Sequence, residues 1–300
     1  MSTLRLGVDL GGTKTAITVL DADRAERLAR RAATPAGAYE AALTELSEMI
    51  LAAEREAGSR CSVGIGMPGA ISARTGLVRN AYNTAFNGRP LKSDLERLLA
   101  REVRIANDAN CFALSEATDG AARGAHVVFG AILGTGAGGG IVVGGKAVEG
   151  RNRVGGEWGH NPLPWMTPDE HPGPRCTCGR LGCIEQFVSG PALGRDHADA
   201  TGQTLEPAAI AEEAARGNAG CEAALRRYED RLARALAHVI NLLDPDVIVL
   251  GGGLSNLNRL YSSVPGLLPR YAYSGTVETP VVRAAHGDAS GMRGAAMLWP

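Results

Sequence analysis

The sequence predicts an α/β protein with two domains and a cleft between them. Its 300 residues, 45% of them hydrophobic, exceed what one small core usually contains. Residues 4–20 form two apolar, β-branched runs joined by a glycine-rich turn, and the same order of strand, glycine turn and strand returns at residues 127–143. The repeat indicates two similar halves, each offering a turn of phosphate size to the shared cleft.

Hydrophobic periodicity and turn residues predict the other elements. In the first half they are a helix that ends at Gly58, a buried strand, a second helix and a short strand, over residues 38–58, 63–67, 91–101 and 103–106. The second half continues with an irregular stretch, helices, a strand and a final apolar helix that packs on the first domain, over residues 151–190, 207–241, 247–250 and 291–299.

Charge and composition exclude several classes of function. The net charge of −1 and the scattered arginines provide no basic surface, so we expect no nucleic-acid partner. Met1 leads directly into an apolar strand pattern without a signal-like segment, and no apolar run approaches ~18 residues. We therefore expect a cytoplasmic protein that does not enter membranes.

The first glycine turn, Asp9-Leu10-Gly11-Gly12-Thr13-Lys14, is a candidate phosphate site. Backbone N–H groups at Gly11 and Gly12 can point at phosphate oxygens, Thr13 adds a hydroxyl donor and Lys14 adds charge. Asp9 is the residue that we expect to hold the Mg²⁺ that accompanies ATP. The alternative is an ordinary hairpin turn, since the segment matches neither the Walker nor the Rossmann pattern.

Two further glycine runs lie in the second half. The turn over residues 134–140 contains five glycines, more than a simple connector needs in view of their cost in chain entropy. A third run, at residues 251–253, follows a predicted strand, and its alternative is a plain helix-entry turn. Together with the first turn, these runs predict nucleotide binding, with ATP contacts at Gly134, Thr135, Gly136, Gly138, Gly252 and Gly253.

The segment Asn107-Asp108-Ala109-Asn110 follows a short predicted strand and is the candidate catalytic site. Phosphoryl transfer depends mainly on positioning and charge stabilisation, and a carboxylate is needed to accept the proton of the attacking hydroxyl. Asp108 fits this role. The alternative is that these side chains only cap the next helix, which we expect to start near Cys111. Both roles are satisfied if Asn110 is the cap and Asp108 faces the cleft.

Four residues have the chemistry of a structural zinc site: His160, Cys176, Cys178 and Cys183. One imidazole and three thiolates complete a tetrahedral shell, and such a closed site activates no water. The long loop between His160 and Cys176 would then be closed by the metal. Reduced, unliganded cysteines are the alternative, because the spacing is not that of a zinc finger. The other cysteines lie in apolar surroundings and are predicted core thiols: Cys61, Cys111 and Cys221.

Polar residues beside this cluster are candidate sugar contacts. Glu157 and Glu185 can accept hydrogen bonds from paired sugar hydroxyls if the metal fixes the loop. His160 could bind zinc through one ring nitrogen and a sugar hydroxyl through the other. The alternative for each glutamate is a solvated loop carboxylate. Asn80 and Asn83 are amide donors in a separate loop that we expect to cover the sugar.

In combination, the Asp9 turn, the Asn107-Asp108 segment, the Gly134 turn and the zinc-ligand candidates resemble the ROK family of sugar kinases over nearly the whole chain. The resemblance implies a two-domain actin-like fold of the hexokinase/Hsp70-type ATPase class, with a cleft between the domains that holds ATP and Mg²⁺. It also implies that Asp108 is the base and that Gly69 and Asn107 contact the sugar.

The domain boundaries follow from the same resemblance. We expect a small α/β domain of residues 1–120 together with the C-terminal helix 288–300. A large α/β domain of residues 121–287 would then carry the zinc-bound loop and the surface of a homodimer.

Within that family the sequence is most similar to the bacterial fructokinases often called manno(fructo)kinases, followed by N-acetylglucosamine kinases, on residues 157–166 and 286–300. We therefore expect transfer of the ATP γ-phosphate to the 6-hydroxyl of a hexose, D-fructose first and mannose also. N-acetylglucosamine or glucose is the alternative substrate. A sugar-responsive transcriptional repressor is a distant alternative, because a first strand at Leu4 leaves no room for a DNA-binding helix-turn-helix.

Overall fold

The computed structural model describes residues 4–81 and 84–300 and divides into two compact units. The first comprises the described residues up to Gly120 together with Gly140–Gly156 and Asp288–Pro300, and the second comprises Ala121–Gly139 and Glu157–Gly287. Residues 140–156 therefore belong to the first unit, whereas the sequence had placed them in the second domain. The reason is a close approach: a Cβ atom at Gly140 would lie 2.2 Å from the carbonyl oxygen of Ala109.

A five-stranded sheet forms the centre of the first unit. In chain order its strands are β1 (Arg5–Leu10), β2 (Lys14–Leu20), β3 (Glu26–Ala33), β4 (Ser62–Met67) and β7 (Val103–Asn107), with a separate small hairpin of β5 (Ala70–Ile71) and β6 (Val78–Arg79). The order across the sheet is β3-β2-β1-β4-β7, antiparallel from β3 to β1 and parallel from β1 to β7. The sequence analysis missed β3 because its charged, exposed residues give no apolar alternation.

Three helices accompany this sheet: α1 (Tyr39–Ala57), α2 (Leu91–Leu99) and α3 (Asp108–Thr118). α1 packs its apolar face on the sheet core, and Gly58 ends it in the left-handed conformation, as the sequence predicted. α2 stops two residues before its predicted end, because Ala100 turns the chain at φ 50°. α3 begins three residues earlier than expected, directly after β7.

A second five-stranded sheet repeats the strand order of the first. It contains β8 (Val127–Leu133), β9 (Ala137–Val143), β10 (Lys146–Ala147), β11 (Val247–Gly251) and β12 (Val281–Arg283), in the order β10-β9-β8-β11-β12. β11 lies parallel to both β8 and β12, just as β4 lies parallel to β1 and β7. The shared order agrees with the two similar halves predicted from the repeated strand and turn pattern.

Helices of the second unit follow the irregular segment: α4 (Glu185–Val188), α5 (Gly190–Thr201), α6 (Pro207–Ala215), α7 (Ala219–Leu243) and α8 (Leu260–Leu267). α7 is the longest, at 25 residues, and buries one apolar face that includes Leu225, Leu232 and Leu236. Among the described residues, no helix combines the length and the apolar character needed to cross a membrane.

The C-terminal helix α9 (Ser290–Ala296) packs on the sheet of the first unit, as expected, although it ends before residue 299. It can approach the strands closely because they carry glycine. A Cβ atom at Gly7 of β1 would lie 1.9 Å from the carbonyl oxygen of Met292, and one at Gly64 of β4 would lie 1.8 Å from that of Ala295. Any larger residue there would push α9 away from the sheet.

Candidate functional site

The candidate base, Asp108, is the first residue of α3. Asn107, immediately before it, caps the helix: its Oδ1 accepts hydrogen bonds from the backbone N–H of Ala109 at 2.9 Å and of Asn110 at 3.3 Å. The expectation that Asn110 is the cap is therefore wrong. Asn110 lies inside the helix and is buried. The cap at Asn107 leaves the Asp108 carboxylate at the helix start, where the N-terminal dipole favours negative charge.

Asn107 also connects the catalytic segment to Gly69. Its Nδ2 donates to the Gly69 carbonyl oxygen at 3.2 Å, which joins the end of β7 to the loop after β4. Gly69 has a φ of 73°, and a Cβ atom there would lie 2.1 Å from the carbonyl oxygen of Arg79. This position therefore requires glycine. The structure thus brings together Gly69, Asn107 and Asp108, which the sequence assigns to sugar binding and proton transfer in the first unit.

Two carboxyl groups of the first unit, Asp108 and Asp9, have raised pKa values. Burial raises the pKa of Asp108 above its ordinary value, partly offset by the N–H of Ala109, which donates to Oδ1 at 2.8 Å. Burial and the nearby charge of Asp108 raise the pKa of Asp9 to about 6, although Arg31 acts in the opposite direction. A bound cation next to Asp9 would lower that pKa again, which is the behaviour of a carboxylate that works beside a metal ion.

The first glycine turn has the geometry of a tight hairpin between β1 and β2. The Gly11 N–H donates to the Lys14 carbonyl at 3.0 Å, and Thr34 supports the turn by donating its hydroxyl to the Gly11 carbonyl at 2.7 Å. The turn therefore holds its shape through internal hydrogen bonds, while Gly12, Thr13 and Lys14 are exposed to solvent.

The second glycine turn is shorter than predicted. Only residues 134–136 connect the strands, because residues 137–140 already belong to β9. Gly138 is therefore a strand residue, and its carbonyl accepts a hydrogen bond from the Trp158 indole at 2.7 Å. Gly134, Thr135 and Gly136 remain at the turn, where the Gly134 carbonyl accepts from the N–H of Gly190 at 2.7 Å.

Glu185 supports this turn. Its Oε2 accepts a hydrogen bond from the backbone N–H of Ala137 at 3.1 Å, and a Cβ atom at Gly136 would lie only 2.6 Å from the same oxygen. The other carboxylate oxygen, Oε1, lies 3.7 Å from the sulfur of Cys176. Glu185 is thus held between the glycine turn and the cysteine cluster, so the alternative of a solvated loop carboxylate is wrong for this residue.

A cavity of about 920 Å³ opens beside the second glycine turn. Its floor is the turn at residues 134–135 and the third glycine run at Gly253, and its walls come from α5, α6 and the loop between them. Proline, alanine and leucine dominate the lining, with a few polar groups among them, as is typical of a small-molecule pocket. The apolar wall residues are Pro191, Ala198, Leu205, Pro207, Ala208, Ala211, Leu254 and Leu257.

The third glycine run shapes one end of this cavity. Gly252 follows β11 with a φ of 80°, and a Cβ atom there would lie 2.5 Å from the carbonyl oxygen of Leu133 in the neighbouring strand β8. Its own carbonyl accepts hydrogen bonds from the N–H of Ser255 at 3.0 Å and from the Ser255 hydroxyl at 2.6 Å. The chain therefore turns sharply at Gly252 and places Gly253 at the cavity wall.

The four zinc-ligand candidates form one cluster in the second unit. The ligand atoms of His160, Cys176, Cys178 and Cys183 all lie within 4.8 Å of one another. Nδ1 of His160 is 3.6 Å from the Cys176 sulfur, and the sulfurs of Cys178 and Cys183 are also 3.6 Å apart with no disulfide between them. Tetrahedral zinc with Zn–S bonds of about 2.3 Å separates its ligand atoms by about 3.8 Å. The donor set and its spacing therefore fit zinc.

Other predicted sugar contacts have different outcomes. Glu157 precedes the short helical turn Trp158–His160 and His160 is its last residue; both are half-buried. Gly159, between them, lies so close to β9 that a Cβ atom would be 1.9 Å from the Ala137 carbonyl oxygen, which fixes this segment on the strand. Asn83 lies outside the described residues.

The loop that leads into the cysteine cluster has a second anchor that the sequence analysis missed. Glu170 lies between two arginines of α7: its Oε1 accepts from Arg231 Nε at 2.7 Å and from Arg234 Nη2 at 2.8 Å, and its Oε2 accepts from Arg234 Nη1 at 2.8 Å. The Glu170 and Arg234 side chains are 8% and 3% exposed, so water screens this pair poorly. The loop is therefore tied to α7 independently of any metal.

Comparison with known proteins agrees with this architecture. The family model described as the ROK family matches residues 5–300. The chain belongs to the ROK family of sugar kinases. Among curated relatives, the N-acetyl-D-glucosamine kinase of Salmonella heidelberg (strain SL476) is 40% identical over 296 residues, which cover 97% of this chain and 98% of that protein.

Solved ROK structures confirm the fold class. The ROK hexokinase from Thermus thermophilus superposes with a TM-score of 0.87 at 33% identity, over 98% of this chain and 97% of that chain. A ROK family glucokinase from Streptomyces griseus, in complex with glucose and AMPPNP, gives a TM-score of 0.80 at 31% identity, over 98% of each chain. The predicted actin-like ATPase fold of two α/β units is therefore correct.

Proposed function

We propose that this ROK kinase transfers the γ-phosphate of ATP to the 6-hydroxyl of N-acetylglucosamine. The observation that carries the proposal is the end-to-end similarity to an N-acetyl-D-glucosamine kinase, at 40% identity over 296 residues. The expectation of fructose as the main substrate has no support among the relatives compared above, which are kinases named for N-acetylglucosamine, hexose or glucose. Glucose is accordingly the second candidate.

The first unit supplies the proton acceptor. Asp108 accepts the proton of the attacking hydroxyl, and its raised pKa brings it closer to the pH at which a base works efficiently. Asn107 accepts the helix-cap hydrogen bond through Oδ1 and donates to the Gly69 carbonyl through Nδ2. It therefore positions the start of α3 beside the sugar-binding residue Gly69. Asp9 would hold Mg²⁺, which when bound neutralises phosphate charge.

The second unit supplies the nucleotide pocket. The apolar cavity of about 920 Å³ receives the adenine ring, and the glycine turn at residues 134–136 donates backbone N–H groups to phosphate oxygens. The turn at residues 11–14 of the first unit stays a predicted phosphate site. Gly138 lies within β9 rather than in the turn and is outside this contact set.

A substrate panel tests the proposal. In a coupled assay of ADP release, we expect N-acetylglucosamine to give a kcat/KM at least about tenfold above that of glucose, mannose and fructose, a ratio that contacts to a single substituent can supply. N-acetylmannosamine, which differs at one stereocentre, is the matched control for recognition of the acetamido group. A preference for fructose or glucose would overturn the substrate, and no turnover with any sugar would overturn the kinase activity itself.

We propose that the cysteine cluster holds structural zinc. When bound, zinc supplies a closed tetrahedral cross-link between His160 and the segment at residues 176–183. The homodimer remains a prediction from the family resemblance, and the cytoplasmic location remains a prediction from the sequence.

The zinc proposal has a direct test. We expect the purified enzyme to contain about one zinc per chain by elemental analysis, as four protein ligands complete one shell. Cys178→Ser should lose it and weaken sugar affinity, because the loop next to Glu157 and Glu185 is no longer fixed. Cys61→Ser, a change at a buried thiol of the other unit, is the control and should retain zinc. Full zinc content in Cys178→Ser would refute the site, and unchanged sugar affinity after verified zinc loss would refute the coupling.

A further inference from the structure

The first unit contains a cationic pocket that the kinase reaction does not use. A cavity of about 700 Å³ lies against the β5–β6 hairpin and is lined by three arginines, Arg74, Arg79 and Arg151. Its described lining includes no aspartate or glutamate. Three guanidinium groups around one cavity repel each other, and an anion bound among them would remove that repulsion.

The hairpin connection adds hydroxyl donors to the same cavity. Ser72 Oγ accepts a hydrogen bond from the N–H of Thr75, and Thr75 Oγ1 accepts one from the N–H of Leu77, both at 3.3 Å. Each hydroxyl therefore uses a lone pair within the turn and keeps its proton for a ligand. Both residues line the cavity. The internal bonds also fix the oxygen positions, so the donors are oriented before a ligand arrives.

Arg79 is the arginine that the fold holds most firmly. One of its terminal nitrogens donates to the carbonyl of Asn152, which joins the hairpin to the segment at residues 151–152. Its Nε is buried, and no described residue accepts its proton. Arg74 and Arg151 are exposed at the rim, where they can close over a bound group. Ala73, Leu77 and Val78 provide an apolar wall in the same cavity.

We propose that this cavity binds a phosphate dianion, carried by a small organic phosphomonoester. A phosphomonoester offers three oxygens and nearly two negative charges at neutral pH, which match three guanidinium groups and two hydroxyl donors. A carboxylate would satisfy fewer of these donors. The volume of about 700 Å³ exceeds what inorganic phosphate needs and leaves room for an organic group against the apolar wall.

The test uses the full-length enzyme and probes that are neither substrate nor product of a hexose kinase. Inorganic phosphate and glycerol 3-phosphate are titrated to about 10 mM, with glycerol as the uncharged control, while backbone amide shifts are followed by NMR. We expect saturable shifts at residues 72–79 with both anions and none with glycerol. Tighter binding of glycerol 3-phosphate identifies an organic phosphomonoester as the ligand, and equal binding identifies the free anion.

Variants localise the binding. Arg74→Gln/Arg151→Gln removes two exposed rim charges and should weaken binding about tenfold or more, since each charge-assisted contact contributes strongly. Arg55→Gln, an exposed arginine in the last turn of α1 of the same unit, is the matched control and should bind as the wild type does. Absence of shifts at residues 72–79, or equal binding by the wild type and the double variant, would overturn the proposal. Either result would overturn this proposal without bearing on the proposed kinase activity, because the experiment measures anion binding and not turnover.

Discussion

Asp108→Asn should reduce kcat by about 10²- to 10⁴-fold while sugar binding stays within a few-fold of the wild type. The amide preserves the size of the side chain at the start of α3, but it cannot accept the proton of the attacking hydroxyl. The helix cap is unaffected, since Asn107 provides it. Initial-rate kinetics and calorimetric titration of the sugar measure the two effects separately.

The control for this variant is Asp23→Asn, an exposed aspartate of the same unit, which should keep kcat within about twofold because surface substitutions rarely perturb a distant site. Turnover of Asp108→Asn within a few-fold of the wild type would show that Asp108 is not the base.

The pH profile gives an independent reading of the same carboxyl group. The raised pKa of Asp108 means that its protonated form, which cannot act as a base, persists to higher pH than for an ordinary aspartate. Activity should therefore rise with pH on the acid side, with an apparent midpoint above the ordinary value of 3.8. The pKa of about 6 for Asp9 applies without a bound cation, and Mg²⁺ beside it would lower that value. With Mg²⁺ present, we therefore assign the acid limb to Asp108. An acid limb centred near 4 would contradict the buried environment of Asp108.

The sequence was most informative where chemistry depends on residues adjacent in the chain. The two strand-turn-strand segments, the Asn107-Asp108 pair and the cysteine cluster each combine uncommon residue types at short spacing, and the structure places each at a strand end, a helix start or a compact loop. The sequence analysis chose the wrong asparagine as the cap of α3. Either Asn107 or Asn110 could serve by propensity, and only the exact end of β7 decides between them.

The sequence could not predict features that join residues far apart in the chain. The apolar cavity of the second unit combines three short segments, around Pro191, Leu205 and Leu257, whose residues look like ordinary core residues in sequence. The Glu170–Arg234 pair joins residues 64 positions apart. From sequence alone, an arginine on a long amphipathic helix is interpreted as a solvated charge. Its ion-pair partner cannot be found from hydrophobic periodicity.

Glu170→Gln should lower the free energy of unfolding of the second unit by about 1–3 kcal/mol, because it removes the negative charge that accepts hydrogen bonds from two buried arginines. Each arginine keeps one other carboxylate, Asp196 for Arg231 and Asp230 for Arg234. Arg231 and Arg234 are 12% and 3% exposed. Arg234 Nη1 keeps its hydrogen bond to the Trp165 carbonyl at 2.9 Å, so the loop at residues 161–175 loses part of its attachment to α7. Thermal unfolding followed by circular dichroism, with limited proteolysis within that loop, measures the effect.

Glu213→Gln is the matched control, since it makes the same chemical change in an exposed pair: Arg216 and Glu213 are 68% and 37% exposed. We expect a loss below about 1 kcal/mol there.

The dependence of stability on pH provides a second check on Glu170. Burial alone raises its pKa, but the hydrogen bonds from Arg234 and Arg231 outweigh burial and lower it from 4.5 to about 2. A depressed carboxyl pKa contributes stability that is present above 4.5 and disappears as the pH falls through 2. The wild type should therefore lose its advantage over Glu170→Gln in that interval, and a difference that persisted unchanged at pH 2 would show that the two arginines do not hold the loop through the Glu170 charge.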